Sequence, residues 1–347
     1  LIAVDKLALA WSWHQLIKGE FVLKGKMVKP WIHLRRDQNN HFNITRALPP
    51  KSQPAPKNDS ATPFSQNIVI ESFDVTDGSF SFETELSQMS THIHGIDLKI
   101  KGNLDRQEGE MKVQFAGGDL VIDGLKTVLN PSMLTGRYAN NRLAPVKISI
   151  STHAGNATLI GSVDHPFTSP QGDLQLQAKV LLDKIMPVIA TKIEWGGIAQ
   201  TQIHLKGPMD NPDLALTLTY SDIAPLQKST SKPADHRMEA RAMLTDRVLT
   251  IDHMVLSSGN SQMGINGVIN LKPAFANGFM APNPDIKATQ LDGHFSLQTP
   301  NIDAALSPWG ILGSKGSLSA EGAVSGSILR PQLNLQLNGK QLAYGDI

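Results

Sequence analysis

The residues with the greatest capacity for chemistry in this chain are few and scattered. His92 and His94 sit two apart, a spacing that puts both imidazoles on one face of a strand and supplies half of a metal site. No third ligand stands at a diagnostic spacing, so a solvated polar face is the expectation. Asp105, Asp119 and Asp123 lie near glycines, without the spacing of an EF-hand or a β-roll calcium loop. A Gly-x-Ser-x-Gly elbow, a His-Glu-x-x-His pair and a P-loop are all absent. Arg35 and Arg36, with Lys24, Lys26 and Lys29, form a modest basic cluster that suits a solvated strand edge better than a lipid headgroup. Met238, Met243, Met254 and Met263 fit adaptable packing and acyl contact equally well. The expectation is a protein that is not an enzyme and needs neither cofactor nor metal.

Composition leaves binding and scaffolding classes open. Of 347 residues, 18% are charged and the net charge is +1, which gives no bias toward nucleic acid or an acidic partner. Cysteine is absent, so a disulfide framework and Cys-based zinc sites are excluded. No window reaches the ~18 apolar residues of a membrane helix. The chain opens on Leu1-Ile-Ala-Val without a basic leader and stops at Gly345-Asp-Ile347 in a strand-like pattern, as expected of an internal segment of a longer protein whose anchor lies elsewhere.

The elements that must position any site read as strands. Leu7, Leu9, Trp11 and Trp13 alternate, a short helical piece follows at 14–19, and a strand at 28–36 puts Ile32 and Leu34 on one face. Residues 49–66, with four prolines in their first eight positions, have no composition to pack and are expected to be a disordered loop. From residue 67 alternating pairs recur, such as Ile68/Ile70, Phe80/Phe82, Leu98/Ile100 and Leu174/Leu176. Turn signals at Asp77-Gly78, Gly102-Asn103 and Gly117-Gly118 separate them, predicting a long antiparallel meander. Helical breaks are expected at 181–193, 222–226 and 302–310. The resulting division is 1–48, 49–66, 67–180 and 181–347.

A repeat organises the C-terminal half. Gly207-x4-Pro212 precedes Leu214, Leu216 and Leu218; Gly326-x4-Pro331 precedes Leu333, Leu335 and Leu337. The offset is 119 residues (326 − 207), and Gly197 and Gly316 precede the two units at the same offset. Gly161-x4-Pro166 is a weaker echo.

Three stretches carry a family resemblance. Leu16–Leu23, Val28–Arg35 and Asn40–Ile44 are similar to the opening of AsmA-type domains, where a strand of the pattern Pro-x-Ile/Val-x-Leu/Val-x-Arg/Lys leads to a turn and an Asn-Ile. Ile70–Phe82 resembles the strand pair that follows. The Gly-x4-Pro units with alternating leucines resemble the repeat of the TamB (translocation and assembly module) branch of the AsmA-like superfamily. The resemblance implies an elongated, strongly curved repeating β-groove, taco-like, with an apolar concave face and a few short helices. It also implies a bridge-like lipid-transfer role in the periplasm of a Gram-negative bacterium, anchored in the inner membrane and serving outer-membrane biogenesis, with an outer-membrane β-barrel of the BamA type as partner.

The residues themselves permit this without demanding it. A sheet with one apolar face and no helices to cover it exposes a patch that normally marks a binding surface. Alternating strands are equally the signature of two packed sheets or a filled β-helix. On the groove reading, Ile203, Leu205, Leu214, Leu216, Leu218, Leu333, Leu335 and Leu337 line the inner face and shield phospholipid acyl chains. The alternative is an assembly factor for outer-membrane proteins that pairs strand edges with its partner. A β-solenoid enzyme or adhesin would need a cluster of acidic residues, and the 31 present are evenly spread.

Overall fold

The structure is a computed structural model. It describes residues 2–38, 42–43, 67–85, 89–122, 125–184, 195–225, 236–276, 278–279, 285–303 and 313–344. The chain is all-β, as expected: 76% of the described residues are in strands and 5% are helical. It divides into two compact units, Leu1–His153 and Ala154–Ile347. The expected loop at 49–66, and most of the expected helical pieces at 181–193 and 302–310, lie outside the described residues.

The first unit opens with β1 (Ile2–Ala3), β2 (Lys6–Trp11), the one-turn helix α1 (Trp13–Ile17), β3 (Glu20–Val28) and β4 (Trp31–Arg36). Ser12 caps α1 by accepting a hydrogen bond from the Gln15 N–H at 3.4 Å, and Gly19 at φ +82° ends the turn. β3 and β4 are two halves of one strand broken at Pro30, which has no N–H to give to a ladder. The ladder is bridged across the break by Lys29 N donating to Thr76 O and Ser79 N donating to Pro30 O, both at 2.8 Å.

Both halves run parallel to the 18-residue strand β5 (Asn67–Thr84), and this departs from the expected all-antiparallel meander. Residues 37–66 supply the long return that a parallel pair requires. Asp77-Gly78, read as a turn, is a bulge inside β5, with Asp77 at φ +53°. Then follow β6 (Met89–Asn103), β7 (Glu108–Phe115), β8 (Gly117–Ile122), β9 (Leu125–Leu129), β10 (Ser132–Ala139) and β11 (Arg142–Thr152). β6 pairs with β7 along one half and with β8 along the other. Gly117-Gly118 therefore marks a kink between two collinear strands instead of a reversal. Gly102-Asn103 does precede a true turn, at Leu104–Gln107.

The second unit is simpler. β12 (Gly155–Asp164), β13 (Gln171–Leu181), β14 (Trp195–Pro208), β15 (Asp213–Pro225), β16 (His236–Thr245), β17 (Val248–Ser258), β18 (Ser261–Asn270), β19 (Gln290–Thr299), β20 (Ser314–Ser327) and β21 (Arg330–Tyr344) form a ten-strand meander. Each is antiparallel to its chain neighbour. Tight turns suit this path: Asp246 and Arg247, at φ +45° and +60°, make the two-residue β16–β17 hairpin. The segment 222–226, expected to be helical, belongs as far as Pro225 to β15. Its break in alternation comes from a bulge at Asp222, φ +56°.

The 119-residue repeat is a repeat of structure. Gly207 and Gly326, at φ +94° and +97°, enter the β14–β15 and β20–β21 turns. At the far end of the same strands, Gly197 and Gly316 sit at bulges where the ladder skips from 196 to 198 and from 315 to 317. A Cβ on Gly197 would lie 2.7 Å from Ser221 O, and one on Gly316 would lie 2.5 Å from Gln341 O. Facing them, Asp222 and Gln341 both take positive φ, +56° and +53°, again 119 residues apart. Asp and Gln share no side-chain chemistry here, so this part of the repeat lives in the backbone alone.

Candidate apolar binding face

Within the second unit, cross-strand register aligns apolar side chains into rows. One row runs Leu159–Leu176–Ile203–Leu216–Ala242–Ile251, crosses Gly267 and Gly293, and continues to Val324 and Leu333. Beside it run Leu174–Leu205–Leu214–Leu244–Leu249–Ile269–Leu291 and Leu218–Ala240–Met254–Ile265–Phe295–Gly322–Leu335. A fourth passes from Tyr220 through Met238, Leu256, Met263, Leu297 and Ala320 to Leu337. Paired residues share a face. All eight residues expected on the inner face therefore stand on one face of one sheet. Five are contiguous on β14 and β15, and three lie six strands away on β21.

Two local devices keep the rows in phase. On β17 a bulge at Asp252 shifts the alternation by one, so that Leu249 and Ile251 before it and Met254 and Leu256 after it face the same way. Where the row crosses Gly322, the Phe295 ring occupies the space a Cβ would need, 2.5 Å from its position. The same pairing occurs in the first unit, where the Phe73 ring lies 2.3 Å from where a Gly25 Cβ would be. In both places a glycine makes room for an aromatic ring to lie over the neighbouring strand.

The face is apolar but not enclosed. No large side chain among the described residues is fully buried. Ala242, Leu244 and Ala320 are buried by their neighbours in the sheet, whereas Ile203, Leu205, Leu214, Leu216 and Leu218 are half-buried. Leu333, Leu335 and Leu337 are 63%, 42% and 59% exposed. With strands ~4.8 Å apart and same-face residues ~6.8 Å apart along a strand, ten strands and four rows cover roughly 40 Å by 20 Å along the sheet. That exceeds the few hundred Å² of a usual exposed apolar patch.

No protein-family model, curated protein or solved structure matches this chain.

The opposite face is polar, and a hollow of the second unit opens there, not over the leucines. It has about 550 Å³ and is lined by His253, Asn266, His294, Glu321, Asn334 and Gln336, with none of the eight expected residues among its walls. A twisted sheet is concave along one diagonal on each face, so a hollow on the polar side accompanies the curvature. His204 and Asp173 pair across this face, with Nε2 to Oδ1 at 2.8 Å.

His92 and His94 do share a face, ring centroids 6.3 Å apart, and Asp119 stands opposite His92. Asp119, however, is engaged by Lys126 at 3.7 Å, and no cluster of three potential metal ligands exists among the described residues. Lys24 is paired with Glu71 at 2.7 Å and Arg35 with Glu85 at 2.6 Å, while Arg36 lies over the Phe42 ring; Lys24 and Arg35 are more than half exposed, on a solvated surface. No helix among the described residues is long and apolar enough to cross a membrane.

Proposed function

We propose that this chain is a segment of a lipid-transfer conduit that shields phospholipid acyl chains on the apolar face of its second unit. The observation that carries the proposal is the set of four apolar rows running over ten strands, with no second layer packed on them among the described residues. Each buried methylene is worth roughly 0.8 kcal/mol, so acyl chains on such a face resist escape into water. Successive strands present nearly the same side chains to a neighbour, so a chain moves from one to the next with little change in energy. The ~20 Å width of the rows exceeds the ~15 Å depth of one bilayer leaflet. On this reading no chemical step is needed.

The setting rests on sequence resemblance. The AsmA-like pattern at Val28–Arg35 and Ile70–Phe82, and the TamB-like Gly-x4-Pro units, support a periplasmic location between inner and outer membranes and a BamA-type barrel as partner. A second reading, strand-edge pairing with an outer-membrane protein, is favoured by one observation. Among the described residues β2 pairs only with β3, leaving its other edge open.

Native mass spectrometry with lipid extraction separates these readings. Phospholipid bound to the parent chain, and lost from a folded variant carrying Ile203→Asp, Leu216→Asp and Leu335→Asp, is the expected result. Absence of lipid from a soluble parent would overturn the conduit and leave edge pairing to be tested.

A further inference from the structure

We propose that the polar face of the first unit carries a binding site for a phosphate-bearing anion, formed by Lys99, Lys101, Lys112 and Arg137. These four, with Glu110, wall a hollow of about 400 Å³ that spans β6, β7 and β10. Register places them together: Lys99 faces Lys112 directly, Lys101 faces Glu110, and Glu110 faces Arg137. Lys147 extends the group from β11 through Thr135, which stands between it and Lys112.

Like charges directly opposite one another on neighbouring strands destabilise a sheet. Here the Lys99–Lys112 opposition is not neutralised. Asp74 faces Lys99 from β5 and Glu110 lies within the group, yet no carboxylate makes an ion pair with Lys99, Lys101, Lys112 or Arg137 among the described residues. Lys99, Lys101, Lys112, Arg137 and Lys147 outnumber the carboxylates of this face, Asp74, Asp97, Glu108 and Glu110, by one (5 − 4). In the same unit Lys24 is matched by Glu71 and Lys126 by Asp119. Four exposed, unmatched cations around one hollow suit a doubly charged phosphate, with Arg137 able to grip two of its oxygens. The inference stands apart from the acyl face, which lies on the second unit.

The test is binding by the full chain and by a Lys99→Thr/Lys112→Thr variant in low salt. One probe is vesicles of phosphatidylglycerol and phosphatidylcholine against phosphatidylcholine alone; the other is inorganic pyrophosphate. The parent is expected to bind at least one anionic probe, and each lysine removed should weaken binding about fivefold. Because the substitutions relieve repulsion, the variant's melting temperature should stay the same or rise, which a merely structural role for the lysines would not give. Binding of vesicles alone assigns the site to a lipid headgroup, and binding of pyrophosphate alone to a soluble phosphate compound. No binding of either, or binding undiminished in the variant, would overturn the inference. Should the double variant misfold, Arg137→Gln is read in the same way.

Discussion

The β14–β15 and β20–β21 hairpins share one backbone plan and differ in what flanks them. Both begin at a bulge on glycine, both carry a positive-φ residue opposite it, and both turn after a second glycine. Yet the leucines of β15 are half-buried, while those of β21 are among the most exposed apolar side chains of the chain. β15 has a paired strand on each side; β21 has one only on the β20 side among the described residues. Burial in this sheet thus comes from lateral neighbours in the same layer. A sandwich would have covered both hairpins from above and made their leucines alike.

The largest predicted effect tests what the hairpins share. Gly197→Val and Gly316→Val each force a β-branched side chain into a positive-φ position whose Cβ lies under 3 Å from backbone oxygens. Each should cost about 3 kcal/mol or more, read as a drop in denaturation midpoint. Equal losses would confirm that the repeat is structural; a silent Gly316→Val would confine the constraint to the first copy.

The next prediction tests what they do not share. Leu216→Asp should cost about 2 kcal/mol, through lost apolar contact and a charge placed among neighbours, whereas Leu335→Asp should cost under about 1 kcal/mol. Equal costs would mean that β21 is covered by something further.

Smaller effects sharpen the picture at the hairpin ends. The Tyr220 hydroxyl donates to Gly196 O at 2.9 Å beside the bulge, and burial pushes its pKa above the ordinary 10.0. Tyr220→Phe should cost about 1 kcal/mol, with faster amide exchange around Gly196–Ile198 as the local readout. Position 339, the counterpart of Tyr220, is a glycine, so the second hairpin has no such bond to lose.

The smallest effect concerns Asp246 in the β16–β17 turn. A hydrogen bond from Lys272, helped by the charges of Lys272 and Arg247, holds its carboxyl below the ordinary 3.8. A depressed folded-state pKa contributes stability above the unfolded value, and this is lost as pH falls through the folded one. Lys272→Ala should therefore lower the melting temperature slightly at neutral pH. The gap from the parent should close once the pH falls below the folded pKa, and it should shrink in high salt.

The fold class was legible because period-2 alternation survives in a sheet that has one polar face. The face of each expected leucine was legible for the same reason. Register was not. Nothing in the spacing of Leu249, Ile251, Met254 and Leu256 shows that a bulge at Asp252 unites them. Nor do Asp222 and Gln341, unlike in chemistry, reveal their shared conformation. Parallel pairing of β3 and β4 with β5 was hidden because long connections carry no direction in their composition. The Lys99–Lys112 opposition was equally invisible, since two lysines 13 residues apart gain meaning only when β6 and β7 are set side by side.

The central claim is that acyl chains lie on one face and not the other, and neighbouring positions of a single strand can decide it. A photo-crosslinking residue at Leu216 looks onto the apolar rows, while one at Thr217 looks onto the polar face. With radiolabelled phospholipid present, capture at 216 and none at 217 is the predicted result. Capture at 217 alone, or equal capture at both, would contradict a lipid-bearing apolar face.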